Sequence, residues 1–509
     1  MIGKLQKVTN VAVIVYRLLG MSDDSSDALS VMRSVGEQVQ IAYDRDVSVV
    51  PSDWNSVCDW FTSGAAFEGA SEQKPLVILL DSIDQLSMES RALSDIASWL
   101  PGLNRSLPNN VKILISTLPE DRGEKILSSF QSYLPQNTFL EVSSLTFDND
   151  ALFECLIVLV NSRPPTGSIL PVKCVLSPQR AGVITQVLSH VDTNKMSPLI
   201  LDLVLDIFVV NPSTFDDTKL RDVASMSIST KGIQGLIELI FQRVEMLHGK
   251  LLVSRVLGLL TISQSGLSEN ELEDLLSCED DVLDDVYEWW TPPIRRLPPM
   301  LIQRIMMSLG SYMVQRDGLC VWCHRQFKEA AMSRYAGDID IQTQLHRSIG
   351  VYFSDNVVEH IRDGRKILRQ HHVYSSNYSD GQSVWNASAS DINHRRCILS
   401  SFHLLNANLL ELVIKDLCDL RVIIIRFKVG LGFETTKLLY EVKKRLDEGY
   451  FVKSDLIYQR LNDCFRWLRS NVSRLIENFT FSAITDTCTK EPSSSLVRKD
   501  CEQAIKLSR

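Results

Sequence analysis

The sequence predicts an α/β domain built on a parallel sheet, followed by domains that are almost entirely α-helical. Two observations lead to this fold class. In the first part of the chain, apolar runs of strand length alternate with amphipathic helical segments, which is the pattern of a parallel α/β sheet. Beyond about residue 148, the apolar residues recur at the spacing of helices.

Length and composition limit the class of protein. The chain has 509 residues, and roughly three or four domains are expected. The net charge of −9 argues against broad binding to nucleic acid or anionic membranes. The 11 cysteines are odd in number and follow no repeated spacing, which predicts free thiols in a reducing compartment. No run reaches the ~20 apolar residues of a membrane span, so we predict a cytoplasmic protein.

Four apolar runs are predicted to form the strands of the sheet. The second run consists of five consecutive apolar residues, so we expect it to be buried on both faces. Amphipathic helices from Ala28 to Ala42 and from Leu93 to Leu100 fall between the runs, and Pro101 ends the second helix. The four runs are Val11–Leu18, Leu76–Leu80, Val111–Ile115 and Phe139–Val142.

Two acidic residues follow the second strand. Asp81 comes directly after Leu80, and Asp84 comes three residues later. Sheets of this kind bind ligands at the carboxyl ends of their strands. A carboxylate there can hold a hydrated magnesium ion, while a later acid orients an attacking water, which is the Walker B arrangement. A buried strand that simply ends in an Asp turn is the alternative, and the spacing leaves both open.

The third strand ends in two hydroxyl residues, Ser116 and Thr117. In P-loop NTPases a polar residue at this place senses the γ-phosphate, although a hydroxyl that only ends a strand is an equally good interpretation. The phosphate-binding loop Gly-x-x-x-x-Gly-Lys-Ser/Thr occurs nowhere in the 509 residues. We therefore expect either that the first strand and its loop lie upstream of Met1 or that nucleotide binding has been lost.

The middle of the chain is predicted to contain a winged helix. Ser268 and Glu271 form a capping box, in which each side chain satisfies a free amide at the start of a helix. Another helix follows Pro298, and then Ser311–Gln315 and Leu319–His324 predict a hairpin. Further helices before this module are predicted at residues 177–188, 198–210 and 251–260, with an earlier apolar stripe at Leu152, Leu156 and Leu159.

The charge of this module argues against contact with DNA. Between Ser268 and Glu288 there are ten acidic residues and no Lys or Arg. Phosphate contacts need positive charge, so we predict a protein-packing module with no nucleic-acid partner.

The last third of the chain is predicted to be a helical array. The stretch from Asp363 to His394 is polar and predicts a loose insertion, and Glu491–Arg509 predicts a polar linker. The predicted helices are Ile341–Phe353, Cys397–Leu417, Thr435–Leu446 and Ser454–Ile476.

In this order, the parts resemble the NACHT and WD-repeat domain-containing proteins of animals, which are STAND-class signalling NTPases. The resemblance covers nearly the whole chain, and it rests on six segments that follow the family's order. These segments are Arg17–Ser26, Leu80–Ser87, Ile113–Pro119, Trp290–Pro299, Trp322–Phe327 and Glu491–Ser495.

The resemblance implies five parts. The first, residues 1–147, is a NACHT core like a P-loop NTPase but without its first strand and phosphate loop. The others are a helical domain (148–245), a winged helix (246–336), a C-terminal helical domain (337–490) and a linker (491–509). The WD-repeat propeller of the family has no counterpart in these 509 residues.

The resemblance also implies ATP or ADP and Mg²⁺ as cofactors. Asp81 would hold the magnesium ion, and Asp84 would be the catalytic acid near the attacking water. Ser116 or Thr117 would sense the γ-phosphate. Gln85 stands where many NACHT proteins carry a second acid, which implies slow hydrolysis.

Two further residues complete the implied nucleotide contacts. Pro198 would pack on the adenine, and His324 of the winged helix would touch the ADP β-phosphate and lock the closed state. Each has an alternative, because Pro198 can simply begin a helix and His324 can be a partly buried histidine with ordinary partners.

The implied function is a nucleotide-controlled switch that opens with ATP and oligomerises, with other proteins and a second copy of the chain as partners. A scaffold that keeps the fold without the nucleotide is the alternative. A DNA-binding regulator is disfavoured by the acidic winged helix.

Overall fold

The computed structural model describes most of the chain, with gaps. It covers residues 12–20, 25, 27–51, 53–86, 99–103, 106–118, 126–142, 154, 156, 158, 178–189, 191, 197–210, 217–289, 292, 296–316, 318–354, 358–362, 365–369, 393–449, 455–477 and 480–507.

The chain divides into two compact units, which are described separately. The first contains residues 1–165, 171–236 and 322–327, and the second contains 166–170, 237–321 and 328–509. The five domain boundaries expected from the sequence remain predictions.

A parallel sheet forms the centre of the first unit. Its described strands lie in the order β1 (Val13–Leu18), β2 (Leu76–Asp81) and β3 (Val111–Ile115). Both pairings are parallel, with Leu80 opposite Ile115 in the register of β2 and β3. Three of the four predicted strands are thus confirmed, and β2 is the most deeply buried of them.

The first three helices of this unit share an apolar core with the sheet. In the first of these helices, which spans Ala28–Ala42, the buried positions share one face, as predicted, and the Asp27 carboxylate caps the helix by accepting a hydrogen bond from the Ser30 amide (2.9 Å). The helices of the first unit are α1 (Ala28–Ala42), α2 (Trp54–Thr62), α3 (Ile126–Gln131), α4 (Pro178–Leu188), α5 (Pro198–Val210) and α6 (Asp217–Lys231).

The predicted fourth strand, Phe139–Val142, is not formed. A short 3₁₀ turn, Gln136–Thr138, leads into these residues, which have no regular secondary structure. Leu140 is 90% exposed and Val142 is 87% exposed. A strand here would need a neighbouring strand for its backbone hydrogen bonds and other side chains to cover its apolar residues. The local sequence does not show whether either is present. The predicted helix at Leu93–Leu100 lies outside the described residues except at its end, and so do Leu152 and Leu159.

The second unit begins with helices and a β-hairpin. The capping box is confirmed, because the Ser268 amide donates to Glu271 Oε2 (2.8 Å) and the Glu271 amide donates to Ser268 Oγ (3.2 Å). The Cys320 amide donates to the Leu267 carbonyl (2.8 Å), which joins the hairpin to the residue just before the capping box. The elements are α7 (Ile233–His248), α8 (Lys250–Ile262), α9 (Glu269–Leu276), α10 (Asp280–Val286), α11 (Pro299–Leu309), β4 (Met313–Arg316), β5 (Leu319–Trp322) and α12 (Arg325–Tyr335). Three of them, α7, β5 and α12, contain residues of both units.

The C-terminal helices share one apolar core. Its largest fully buried member is Trp467, in the helix Asp455–Glu477. The elements are α13 (Ile339–Tyr352), β6 (Val358–Arg362), β7 (Arg365–Arg369), α14 (His394–Asn406), α15 (Leu410–Leu417), α16 (Leu420–Lys428), α17 (Gly432–Asp447), α18 (Asp455–Glu477), α19 (Phe481–Thr489) and α20 (Leu496–Leu507).

Three expectations for this region were wrong. The segment Cys397–Leu417 is two helices, because Asn408 adopts a left-handed conformation (φ 55°) that ends α14. The predicted loose insertion, Asp363–His394, contains β7, which pairs antiparallel with β6 just before the segment; Asp363-Gly364 is a turn signal in the sequence that we missed, and residues 370–392 lie outside the described residues. The predicted linker contains α20, whose Val497 and Cys501 are buried in the shared core.

None of the helices in the described part of the chain combines the length and the apolar content that a bilayer crossing requires.

Two buried histidines join α13 to α14. The Nδ1 atoms of His346 and His403 lie 2.8 Å apart, so one ring donates a hydrogen bond to the other. Burial lowers the pKa of His346 to about 4. Burial also lowers the pKa of His403 well below its usual value, and the charges of His346 and Arg395 act in the same direction.

This pair predicts that acid destabilises the C-terminal helices. An unfolded histidine titrates near pH ~6.5, so below that pH the unfolded chain binds more protons than the folded one, and stability falls until the folded pKa values are reached. We expect the urea midpoint, followed by circular dichroism, to fall between about pH 7 and about pH 5. In His346→Gln the fall should be smaller. An equal fall in both proteins would contradict this assignment.

Candidate functional site

The candidate site lies where β2 and β3 end side by side. The Ser116 amide donates to the Leu80 carbonyl (3.0 Å), and this continues the parallel ladder one residue beyond β3. The Leu19 amide, just after β1, donates to the Asp81 carbonyl (3.0 Å). The strand pairing therefore brings Asp81 and Ser116, which are far apart in the sequence, to one edge of the sheet.

Ser116 connects the two strand ends through its side chain. Its hydroxyl donates to Asp81 Oδ1 and accepts a hydrogen bond from the Ser82 amide (2.7 Å). Its carbonyl accepts from the Ile83 amide (3.0 Å). Ser82 itself is left-handed (φ 63°), a conformation that is uncommon for a residue with a side chain. Ser116 thus fixes the turn that follows β2.

Asp84 lies in a different environment from Asp81. Its side chain is buried (3% exposed), whereas Asp81 is half-buried. Asp84 Oδ1 accepts a hydrogen bond from the Leu118 amide (3.1 Å), and Oδ2 accepts one from Gln85 Nε2. Both oxygens of Asp84 are therefore engaged within the protein.

Thr117 differs from Ser116 although the two are adjacent. Its hydroxyl donates to the carbonyl of the next residue, Leu118 (3.0 Å). Of the two hydroxyls proposed from the sequence, Ser116 is the one that bonds to Asp81.

His324 and Pro198 were the other two candidates. The His324 side chain is exposed; partial desolvation lowers its pKa, and the charge of Asp202 in α5 opposes that change. Pro198 is exposed at the start of α5, where the preceding Ser197 Oγ accepts from the Ile200 amide (3.3 Å). Among the described residues, no hydrogen bond or ion pair joins His324 or Pro198 to Asp81.

Arg325 is a site residue that we did not predict. It follows His324, and its Nη1 atom donates to Gln85 Oε1 (3.3 Å), next to Asp84. The two residues are 240 positions apart. Nothing in the spacing of the sequence could have revealed this contact.

The available oxygen atoms fit a magnesium ion in part. In phosphate sites Mg²⁺ is bound through one or two carboxylates, with waters and phosphate oxygens completing the shell. Asp81 offers one accessible carboxylate of this kind. Among the described residues, no group of three or more His, Cys, Asp or Glu side chains could hold a metal ion by itself.

The described residues define a class of protein in which a small parallel α/β sheet with acids at its carboxyl edge is combined with a winged helix and many other helices. A family model described as "NWD1-like, winged helix-turn-helix domain" matches residues 223–341. This match contains the whole of the winged helix predicted at 246–336.

Curated relatives extend the comparison. The mouse NACHT domain- and WD repeat-containing protein 1 is 30% identical over 419 residues, which cover 78% of this chain and 24% of that protein. The human NACHT and WD repeat domain-containing protein 2 is 28% identical over 347 residues, covering 67% of this chain and 18% of that protein. The chain belongs to the family of NACHT and WD-repeat domain-containing proteins. It spans only about a fifth to a quarter of the length of these relatives.

The Ser116 hydroxyl is predicted to hold the turn after β2. In Ser116→Ala the Ser82 amide and Asp81 lose their partner, and a lost hydrogen bond of about 1 kcal/mol corresponds to about fivefold faster local opening. Hydrogen exchange of the peptide that contains Ser82 and Ile83 should increase by that factor. Thr117→Ala is the matched control, because its hydroxyl bonds only to the adjacent carbonyl, and it should leave this exchange unchanged. Equal effects of the two variants would show that Ser116 has no special role.

Proposed function

We propose that this chain is the switch region of a NACHT/STAND-type signalling protein, in which a bound nucleotide controls the conformation and the assembly of copies. The observation that supports this most is the position of Asp81, bonded to Ser116 and three residues before Asp84, at the carboxyl edge of a parallel sheet. Family membership makes the use of nucleotide and Mg²⁺ plausible.

In this proposal the Asp81 carboxylate holds Mg²⁺, which would neutralise charge on the phosphates of ATP or ADP. Ser116 orients Asp81 through the hydroxyl hydrogen bond and lies where a γ-phosphate can be sensed. Thr117 is the weaker candidate for this role, because its hydroxyl bonds to the Leu118 carbonyl. Asp84 is the acid that orients an attacking water.

The remaining contacts belong to the proposal as well. His324 is assigned to the ADP β-phosphate, and Pro198 to the adenine. The charge of Asp202, one turn into α5 from Pro198, acts to raise the pKa of His324, which supports assigning both candidates to one nucleotide. A nucleotide can shift the protein between two states only by binding one of them more tightly.

A nucleotide-independent scaffold is the second candidate. It is favoured by the state of Asp84, whose two oxygens are occupied by Leu118 and Gln85 in a buried place. In either case the proposed partners are other proteins, including a second copy of the chain, and not nucleic acid. The nine described cysteines are all free thiols, which supports the proposed cytoplasmic location.

The two candidates are distinguished by Asp81→Asn. If the switch is correct, the wild-type chain should bind ATP or ADP in a Mg²⁺-dependent manner, and the variant should lose at least about tenfold in affinity, because the metal loses its charged ligand. Titration calorimetry measures the affinity, and mass photometry with each nucleotide measures oligomerisation. Asp59→Asn changes an exposed carboxylate on α2 and is the control. If oligomers and nucleotide content are the same in all three proteins, the switch fails and the scaffold stands.

A further inference from the structure

Gln85 forms the centre of a chain of three hydrogen bonds in the first unit. Arg325 Nη1 donates to Gln85 Oε1 (3.3 Å), Gln85 Nε2 donates to Asp84 Oδ2, and the Leu118 amide donates to Asp84 Oδ1 (3.1 Å). Arg325 and Leu118, at the two ends of this series of hydrogen bonds, lie in segments that are distant in the sequence. Together they restrict the position of Asp84.

The orientation of the Gln85 amide follows from the chemistry of its neighbours. A guanidinium group only donates hydrogen bonds, so the amide oxygen must face Arg325. An ionised carboxylate only accepts them, so the amide nitrogen must face Asp84. No other orientation of Gln85 satisfies both partners. A glutamate at this place could accept from Arg325 but could not donate to ionised Asp84.

Gly20 provides the space for this side chain. It follows β1 with a positive φ of 75°, and a Cβ atom placed on it would lie 2.4 Å from Gln85 Cβ. Such a distance is shorter than any normal contact, so a larger residue at position 20 would displace Gln85. The turn after β1 therefore fits against Gln85 only because it contains glycine.

We propose that Gln85 is a positioning residue that keeps Asp84 buried and hydrogen-bonded within the protein. Arg325 fixes the orientation of the Gln85 amide that this requires. The inference rests on the proposed function, in which Asp84 orients the water whose oxygen bonds to the γ-phosphorus as the bridging P–O bond breaks, giving ADP, phosphate and a proton. In this structure Asp84 is 3% exposed and each of its oxygens accepts a hydrogen bond from the protein, so burial keeps that water from the carboxylate. Hydrolysis then requires the bond between Gln85 and Asp84 to open.

Two variants separate the two bonds of Gln85. Gln85→Glu keeps an acceptor for Arg325 but removes the donor to Asp84 and adds a like charge beside it. Arg325→Gln removes the guanidinium and leaves the bond between Gln85 and Asp84 in place. Arg45→Gln is the matched control, since Arg45 is a surface arginine paired with exposed Glu68 (2.8 Å).

The first measurement is hydrogen exchange at the Leu118 amide without nucleotide. Leu118 is 50% exposed and its amide donates to Asp84 Oδ1 (3.1 Å), so its exchange rate reports how firmly Asp84 is held. We expect about tenfold faster exchange in Gln85→Glu, a smaller increase in Arg325→Gln and none in the control. Arg325→Lys, which restores one donor, should return the rate towards that of the wild type. Unchanged exchange in both test variants would overturn the proposal.

The second measurement is single-turnover hydrolysis of bound Mg·ATP. Gln85→Glu should raise the rate constant by about tenfold while the affinity for Mg·ATP stays within about twofold, because Asp84 is released and Asp81 is untouched. An unchanged rate constant with bound nucleotide would overturn the proposal. If neither the wild type nor any variant binds Mg·ATP, the proposed function fails, and the exchange measurement alone then decides whether Gln85 holds Asp84.

Discussion

The parallel pairing of β2 with β3 is the constraint on which the candidate site depends. The register places Leu80 opposite Ile115, and the Ser116 amide extends the ladder by one hydrogen bond. Any other register would separate Ser116 from Asp81. β2 is buried on both faces, and Leu76, Ile78 and Leu80 pack in the core of the sheet, so the packing of these side chains and the site require the same pairing.

The same edge of the sheet holds two carboxylates in two environments. Asp81 is half-buried and has a hydroxyl partner, so it remains accessible to a cation. Asp84, three residues later, lies in a 3₁₀ turn and is buried. Its carboxylate accepts hydrogen bonds from the Leu118 backbone amide and the Gln85 side-chain amide. Two groups of the same chemistry therefore lie in environments that differ in exposure and in hydrogen-bond partners, as the different roles proposed for them require.

The sequence predicted those features that local chemistry determines. An apolar run followed by acids located β2, and Ser268 with Glu271 located the start of α9, because a strand buried on both faces and a capping box each have a local signature. Features that depend on distant partners were not predictable in this way. Phe139–Val142 has the composition of a strand but lacks the conditions for pairing, and Leu496–Leu507 is polar overall yet packs through Val497 and Cys501. The contact of Arg325 with Gln85 joins residues 240 positions apart, which no spacing rule reaches.

Gln85 shows how a departure from a family pattern can be interpreted physically. From the sequence, an amide in place of an acid implied only slower hydrolysis. In the structure the amide has two different ends, and each end meets the partner that needs it, an arginine on one side and a carboxylate on the other. An acid would lose the donor that holds Asp84, whereas an apolar residue would lose both bonds. The identity of this one side chain therefore determines whether the catalytic acid of the proposed switch is free or held, and Gly20 and Arg325 are the residues that make the held state fit.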